Sequence, residues 1–406
     1  MTDDTRRIFD ARGNRTALPF AMPKWLAAAM VAIAFLISQA SWISSTLPLM
    51  GGDSGGYLAR ASLINEGALF QGNVSVWMYA YFNYNLLLAV FERLGVPLVG
   101  VVVLQTIVSA LATAAVYFLG RRLGGDRIAF LAALFFAIDP KISRWNGFVL
   151  TDSLYVSLVP IVVLMLWRVF ESPSLRRSVP AMISLLAIVP LRPQGWLWPI
   201  LVGIGFLMSR GRAKLLNFFA FTAISAVILF FMMTQIDFFR SYLNEQKPGK
   251  LITNGEVVWS SDAYRIDMPI DPDSKGHDDV ATALNYVSRH PLAVAKLMIA
   301  RIAVEVMKVR PFYSPKHNLA ILVFFVPLHA MALIGCFAKR NDPLARWMMT
   351  AIAGHLGITA IMQANWDGRW LDHVLSLIGV LAAAGCVSVI DSVRNAFRPR
   401  TQTTGA

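Results

Sequence analysis

The chain has 406 residues, 56% of them apolar and 15% charged, with a formal net charge of +13; soluble domains average about 25% charged residues. Several apolar runs approach the roughly 20 residues needed to cross a bilayer, which excludes a soluble globular enzyme. The excess of Lys and Arg then reports membrane topology, not nucleic-acid binding. Two cysteines, Cys336 and Cys386, lie inside apolar runs and leave no disulfide framework or Cys-based metal site.

Residues 1–24 carry Arg6, Arg7, Arg12, Arg15 and Lys24 and read as a basic cytoplasmic tail. The first apolar run, 25–47, is too long for a cleavable signal. Hydropathy predicts an all-α integral membrane protein with about ten spans, at about 25–47, 97–119, 127–140, 148–170, 176–191, 194–209, 215–235, 319–338, 344–363 and 371–391. The third, fifth and sixth are short and end at Asp139-Pro140 or near Arg192-Pro193. Proline and charge at such ends suit broken helices that line a cavity. The polytopic domain is thus 25–391, followed by a second cytoplasmic tail, 392–406.

With the N-terminus inside, each short inner connection is basic: Arg121, Arg122 and Arg127; Arg176 and Arg177; Arg210, Arg212 and Lys214; Lys339, Arg340 and Arg346. Tryptophan is skewed the other way. Trp42, Trp77, Trp145, Trp196, Trp198, Trp259, Trp366 and Trp370 fall on or near the outer side, which suits an outer cavity that stacks sugars or lipid.

Two outer loops are substantial. The first, about 48–96, opens on Gly51-Gly52-Asp53-Ser54-Gly55-Gly56-Tyr57. Paired glycines let a backbone turn tightly or come close to a ligand. From Ser54 a short amphipathic helix is expected, with Tyr57, Ala61 and Ile64 on one face, and a second amphipathic piece runs from Tyr79 to Leu94. The second loop, about 236–318, is polar until Asp279 and then helical from Pro291 to Arg310. There Leu292, Ala295, Ile299, Ile302 and Val306 share a face, while Arg301, Glu305 and Lys308 lie away from it; this reads as an interfacial helix with Arg301 and Lys308 as anchors.

The pattern resembles the GT-C superfamily of membrane glycosyltransferases, which includes protein O-mannosyltransferases and the lipid A aminoarabinose transferase. The likeness rests on Asp53 through Ala61; on Gly120 through Gly125 with Asp139-Pro140 and Thr151-Asp152-Ser153; on Leu191-Arg192-Pro193; and on Asp367-Gly368-Arg369-Trp370. It covers about 25–391. The last motif departs from the family's, with Trp370 in place of Tyr and no following Pro, and no large C-terminal soluble domain is present.

The resemblance implies transfer of a monosaccharide from a polyprenyl-phosphate donor to an acceptor hydroxyl at the outer face of a bacterial inner membrane, by inverting direct displacement. The acceptor could be a glycan, a lipid or a protein. Asp53 is the candidate base, or else a helix N-cap. Asp152 is the candidate second acid, or a cap of the fourth span, and Asp139 a third acid or a turn residue. These three could hold Mg²⁺ or Mn²⁺. Arg192 and Arg369 are candidates for the donor phosphate, or for pairs with Asp367 or Asp372; Lys141 and Arg144 assist, or snorkel to headgroups. His277, His290, His317 and His373 fit no metal spacing and read as surface or loop residues, and His329 and His355 as packing residues. The rival readings are a flippase for a lipid-linked sugar and an O-antigen polymerase or ligase using a diphosphate-linked donor.

Overall fold

The computed structural model describes residues 23–42, 47–70, 75–208, 241–242, 244–259, 264–272 and 279–397. The expected span at 215–235, His277 and most of the N-terminal tail lie outside the described residues. Among those described, regular structure is helical, with isolated β-bridges besides. The helices in chain order are α1 (Lys24–Trp42), α2 (Ser54–Asn65), α3 (Val76–Ala80), α4 (Phe82–Arg93), α5 (Val99–Gly124) and α6 (Asp126–Ile138). Next come α7 (Pro140–Asn146), α8 (Thr151–Glu171), α9 (Leu175–Ile188), α10 (Leu197–Met208), α11 (Pro248–Thr253) and α12 (Val280–Arg289). The last are α13 (Pro291–Met307), α14 (Pro315–Ala338), α15 (Pro343–Ile361), α16 (Arg369–Asp372) and α17 (Leu375–Ala396).

Five of these, α1, α5, α8, α14 and α17, are long and apolar enough to cross a membrane. The expected short spans are short: α9, with 14 residues, reaches only about 21 Å against a hydrocarbon core of about 30 Å. Helix α8 is buried along most of its length and forms the centre, with Val156, Val159, Val163 and Leu166 all inaccessible. Helix α17 buries Leu375 through Gly385 without a break. It packs on α14 with backbones almost touching: a Cβ on Gly335 would sit 1.9 Å from the Leu381 carbonyl oxygen, and one on Gly385 1.9 Å from that of Met331. Small residues at such a contact let helices associate where lipid removes the hydrophobic drive. Helix α1 lies at the periphery, with Ile33, Leu36 and Ile37 exposed as on a lipid-facing helix.

Loops at one end of the bundle carry the chemistry, and two backbone clasps hold them. In the first, the Leu49 N–H donates to the Gly147 carbonyl (2.9 Å) and the Val149 N–H to that of Leu49 (3.0 Å). The Ser54 hydroxyl adds a bond to the Val149 carbonyl (2.8 Å), so the residues before α2 are fixed to those before α8. Tyr57 and Ala61 of α2 are buried and Ile64 packs beside them, as the periodicity predicts. In the second clasp, the Trp259 N–H donates to the Ala364 carbonyl (3.1 Å) and the Ala364 N–H to that of Val257 (2.8 Å).

Helix α13 forms where expected with its apolar face outward, but its charged face is buried in the protein. Leu292, Ala295 and Ile299 point outward, and Val294, Leu297, Arg301 and Glu305 point into the protein. Arg301 and Lys308 are therefore internal braces and not interface anchors. The reason is backbone satisfaction, since buried carbonyls and amides need partners. Arg301 donates to the carbonyls of Leu251, Glu256, Ala360 and Ile361. Glu305 accepts from the Asn365 and Leu371 amides at 3.0 and 2.9 Å. Lys308 donates to the Gly368 carbonyl (2.7 Å) and pairs with Asp372, whose other oxygen accepts from the Trp145 indole (3.0 Å). Arg310 bonds the carbonyls of Asn365 and Trp366, both at 2.8 Å. One helix end thus holds the segment 365–372 from several sides.

Two outcomes are expected. Gly385→Val, which drives a side chain into the Met331 carbonyl, should destabilise by about 1–3 kcal/mol or more and lower the melting midpoint in detergent. Lys308→Met leaves Asp372 buried and unpaired, at a cost of about 3–5 kcal/mol. The double variant Lys308→Met with Asp372→Asn should recover most of that loss in the same thermal assay.

Candidate functional site

The site forms where the loop before α2, the start of α8, the break between α9 and α10 and the segment before α17 meet. Asp53 sits at the N-terminus of α2 but its side chain makes no capping bond. Its carboxylate is instead 46% exposed and lies 3.1 Å from a guanidinium nitrogen of Arg369. The glycines around it do not turn the chain, because none of Gly51, Gly52, Gly55 or Gly56 has a positive φ. Gly52 and Gly55 border open space, where a Cβ would meet nothing within 4 Å, whereas one on Gly51 would lie 2.9 Å from the Leu150 side chain. The glycine that does bend the backbone is Gly368, at φ +65°, which aims Arg369.

Asp152 lies in the first turn of α8, and the cap position there belongs to Leu150. The Asp152 side chain is buried and meets three basic groups. Arg192 Nη1 is 2.5 Å from Oδ1, Arg369 Nη1 3.7 Å from Oδ2, and His373 Nε2 3.6 Å from Oδ1. Arg192 reaches it from an extended residue between two short 3₁₀ turns, Val189–Leu191 and Pro193–Trp196. Burial, the largest single influence, would make both arginines less basic, but Asp152 together with the other groups around each, Asp53 among them for Arg369, outweighs it, and both hold their protons more tightly than usual. Arg369 therefore bridges an inner and an outer carboxylate. Neither Asp367 nor Asp372 pairs with it; they bond to Tyr313 and Lys308.

A cavity of about 620 Å³ opens onto Asp53, Arg192 and Arg369. Its aromatic wall holds Trp77, Tyr81, Trp196 and Tyr242, and its aliphatic wall Leu197, Ile200, Ile358, Ile361 and Met362. Tyr57 and Tyr81 also line it, and burial, the leading cause, raises both phenols so that they stay neutral. Asp53 is the carboxylate on the cavity surface.

The other predicted residues lie elsewhere. Asp139 caps α7, accepting from the Lys141 and Ile142 amides at 2.8 and 3.3 Å. Lys141 is buried with its ammonium near the Asp367 carbonyl (3.4 Å), and Arg144 lies over the rings of Trp145 and Phe148. Asp53 and Asp152 each face arginine, and among the described residues no three His, Cys, Asp or Glu side chains converge as a metal site would require. This donor set does not fit a divalent cation.

Sequence reasoning passed over His373, expected at the surface and found fully buried beside Asp152. It also passed over Glu305 and Arg310 as braces. A signal was present: Arg301, Glu305, Lys308 and Arg310 cluster at the end of a largely apolar helix, and charge there implies burial with a partner or exposure to water.

Residues 78–236 match the family model for dolichyl-phosphate-mannose-protein mannosyltransferases. No curated protein matches the chain by sequence. Among solved structures, the chain resembles the archaeal oligosaccharyltransferase AglB from Archaeoglobus fulgidus in complex with an inhibitory peptide and a dolichol-phosphate, with a TM-score of 0.52 at 15% identity over 93% of this chain and 53% of that one. The apo crystal structure of the Archaeoglobus fulgidus oligosaccharyltransferase matches with the same score, identity and coverage. The chain spans about half the length of those enzymes, and at such identity the likeness concerns the fold. The family match over residues 78–236 and the shared fold together support a GT-C superfamily membrane glycosyltransferase.

Proposed function

We propose that the protein transfers a monosaccharide from a polyprenyl-phosphate donor to an acceptor hydroxyl, with inversion at the anomeric carbon. The observation that carries this reading is Asp53, a half-exposed carboxylate on the cavity wall within 3.1 Å of Arg369. A base for the nucleophile and a cation for the leaving group are the two parts such a displacement needs. Asp53 takes the acceptor proton as that oxygen bonds to the anomeric carbon. The bond from that carbon to the phosphate oxygen breaks with its electron pair, and Arg369 and Arg192 receive the developing negative charge.

The Asp53–Arg369 pair has a consequence for order. A carboxylate oxygen engaged by a guanidinium is not free to accept from an acceptor hydroxyl. A donor phosphate that draws Arg369 to itself releases that oxygen of Asp53, so donor binding comes first and acceptor turnover follows. The aliphatic wall suits the start of a prenyl chain, and the outward apolar face of α13 suits the lipid beside it. A monophosphate donor is supported by the matched family description and by the dolichol-phosphate in one similar structure.

The topology proposed with this reading has about ten crossings, counting the short helices and the 215–235 segment, with both termini cytoplasmic and the site on the periplasmic side. Arg121 and Arg122 end α5 far from its site-side start at Val99, in keeping with positive-inside placement.

Asp53→Asn should lower kcat by about 10²–10⁴-fold in a donor-plus-acceptor assay while donor binding persists. Arg369→Gln should instead weaken binding of the polyprenyl phosphate and slow turnover together. Activity near wild type in Asp53→Asn, or cysteine labelling that puts residues 53 and 369 on opposite faces of the membrane, rejects the mechanism.

A further inference from the structure

The cavity holds more aromatic surface than a base and two arginines require. Trp77 and Tyr81 lie near parallel, with centroids 6.2 Å apart at 16°. Tyr242 meets the edges of both Trp77 and Trp196, each at 5.5 Å. Tyr57 continues the array against Tyr81 at 5.2 Å, with the Arg60 guanidinium 5.1 Å from its ring centre. Helix α3, the 3₁₀ turn at 193–196 and the segment before α11 all contribute, so three distant stretches converge on one aromatic wall. Side-chain amides of Gln194, Gln246 and Asn365 line the same space.

The rest of the apolar lining, Leu197, Ile200, Ile358, Ile361 and Met362, is aliphatic, and this difference separates two ligand chemistries. A prenyl chain needs apolar surface of any shape. A pyranose ring presents a flat C–H face to an aromatic ring and hydroxyls around its edge to amides and guanidinium groups. Flat amphipathic rings beside amide donors and acceptors match the second ligand. The skew of tryptophan to the outer side finds part of its cause here, because Trp77, Trp196, Trp259 and Trp370 all line this cavity.

We propose that Trp77, Tyr81, Trp196 and Tyr242 form a pyranose-stacking subsite beside Asp53. It deepens the transferase reading and rests on it for whose ring is held: the donor's sugar or a sugar residue of a glycan acceptor.

Ligand-observed saturation-transfer NMR on the full chain in lipid nanodiscs, free of glycoside detergent, tests this with methyl hexopyranosides and methyl pentopyranosides as probes. Wild type should show transfer to the ring C–H protons of at least one probe. Trp77→Leu and Tyr242→Leu keep apolar volume but remove the flat face, and should weaken that binding by about tenfold, the order of losing an aromatic platform under a stacked ring. Trp77→Phe should retain most of it. Binding of undecaprenyl phosphate, measured in parallel, should be unchanged in all three variants and reports separately on the transferase reading. A non-transferable polyprenyl-phosphonate sugar that displaces the probe assigns the subsite to the donor's ring; co-binding assigns it to the acceptor. Equal probe affinity in wild type and leucine variants overturns the subsite, as does no transfer at tens of millimolar. So does loss of undecaprenyl phosphate binding alone, which would make the wall a lipid surface.

Discussion

Two guanidinium groups buried at the end of an apolar bundle set the problem that the rest of the structure answers. A charge removed from water is stable only with a partner, and Asp152 is that partner for both Arg192 and Arg369. The three side chains come from the first turn of α8, from the break between α9 and α10 and from the segment before α17. Removing Asp152 takes the shared partner from both arginines, leaving Arg369 only its contact with Asp53. The cluster therefore fixes the mutual position of three chain segments as well as a local charge, and the loops above it inherit that geometry.

The cluster also separates the two carboxylates by role. Asp152 is enclosed and saturated by cations, while Asp53 is half exposed and meets one of them. Equal residue types thus acquire unequal chemistry from burial and partner count. Arg369 lies between them and meets both. The clasp from α13 matters for this reason. Glu305, Lys308 and Arg310 tie down the backbone on both sides of Arg369, so its head group moves against a fixed stem.

Helix positions were legible because long apolar runs mark them in the sequence. The helices at Val99–Gly124, Thr151–Glu171 and Pro343–Ile361 fall close to their expected ranges. The helix at 291–307 was legible as amphipathic and interfacial, yet the burial of its charged face was not, because hydropathy does not distinguish charges that meet water from charges that meet buried backbone groups. What decides is the row of unsatisfied backbone groups at 251–256 and 360–371, which only the folded chain brings to Arg301 and Glu305. His373 escaped for a related reason: its partner Asp152 is more than two hundred residues earlier in the chain, and no local pattern links them.

The two clasps explain why Asp53 and Arg369, 316 residues apart, can meet at hydrogen-bond distance. Neither loop is rigid by composition, since one is glycine-rich and the other turns through Gly368. Each gains its shape from a few backbone bonds to a neighbouring segment, Leu49 with Gly147 and Val149 in one case and Ala364 with Val257 and Trp259 in the other. Those neighbours lead into the cluster itself: Val149 precedes Asp152, and Ala364 precedes Arg369. The backbone pairing and the ion pairing thus constrain the same atoms from two directions. Loss of either would leave the residues present and their spacing undefined, which for a displacement reaction is equivalent to losing them.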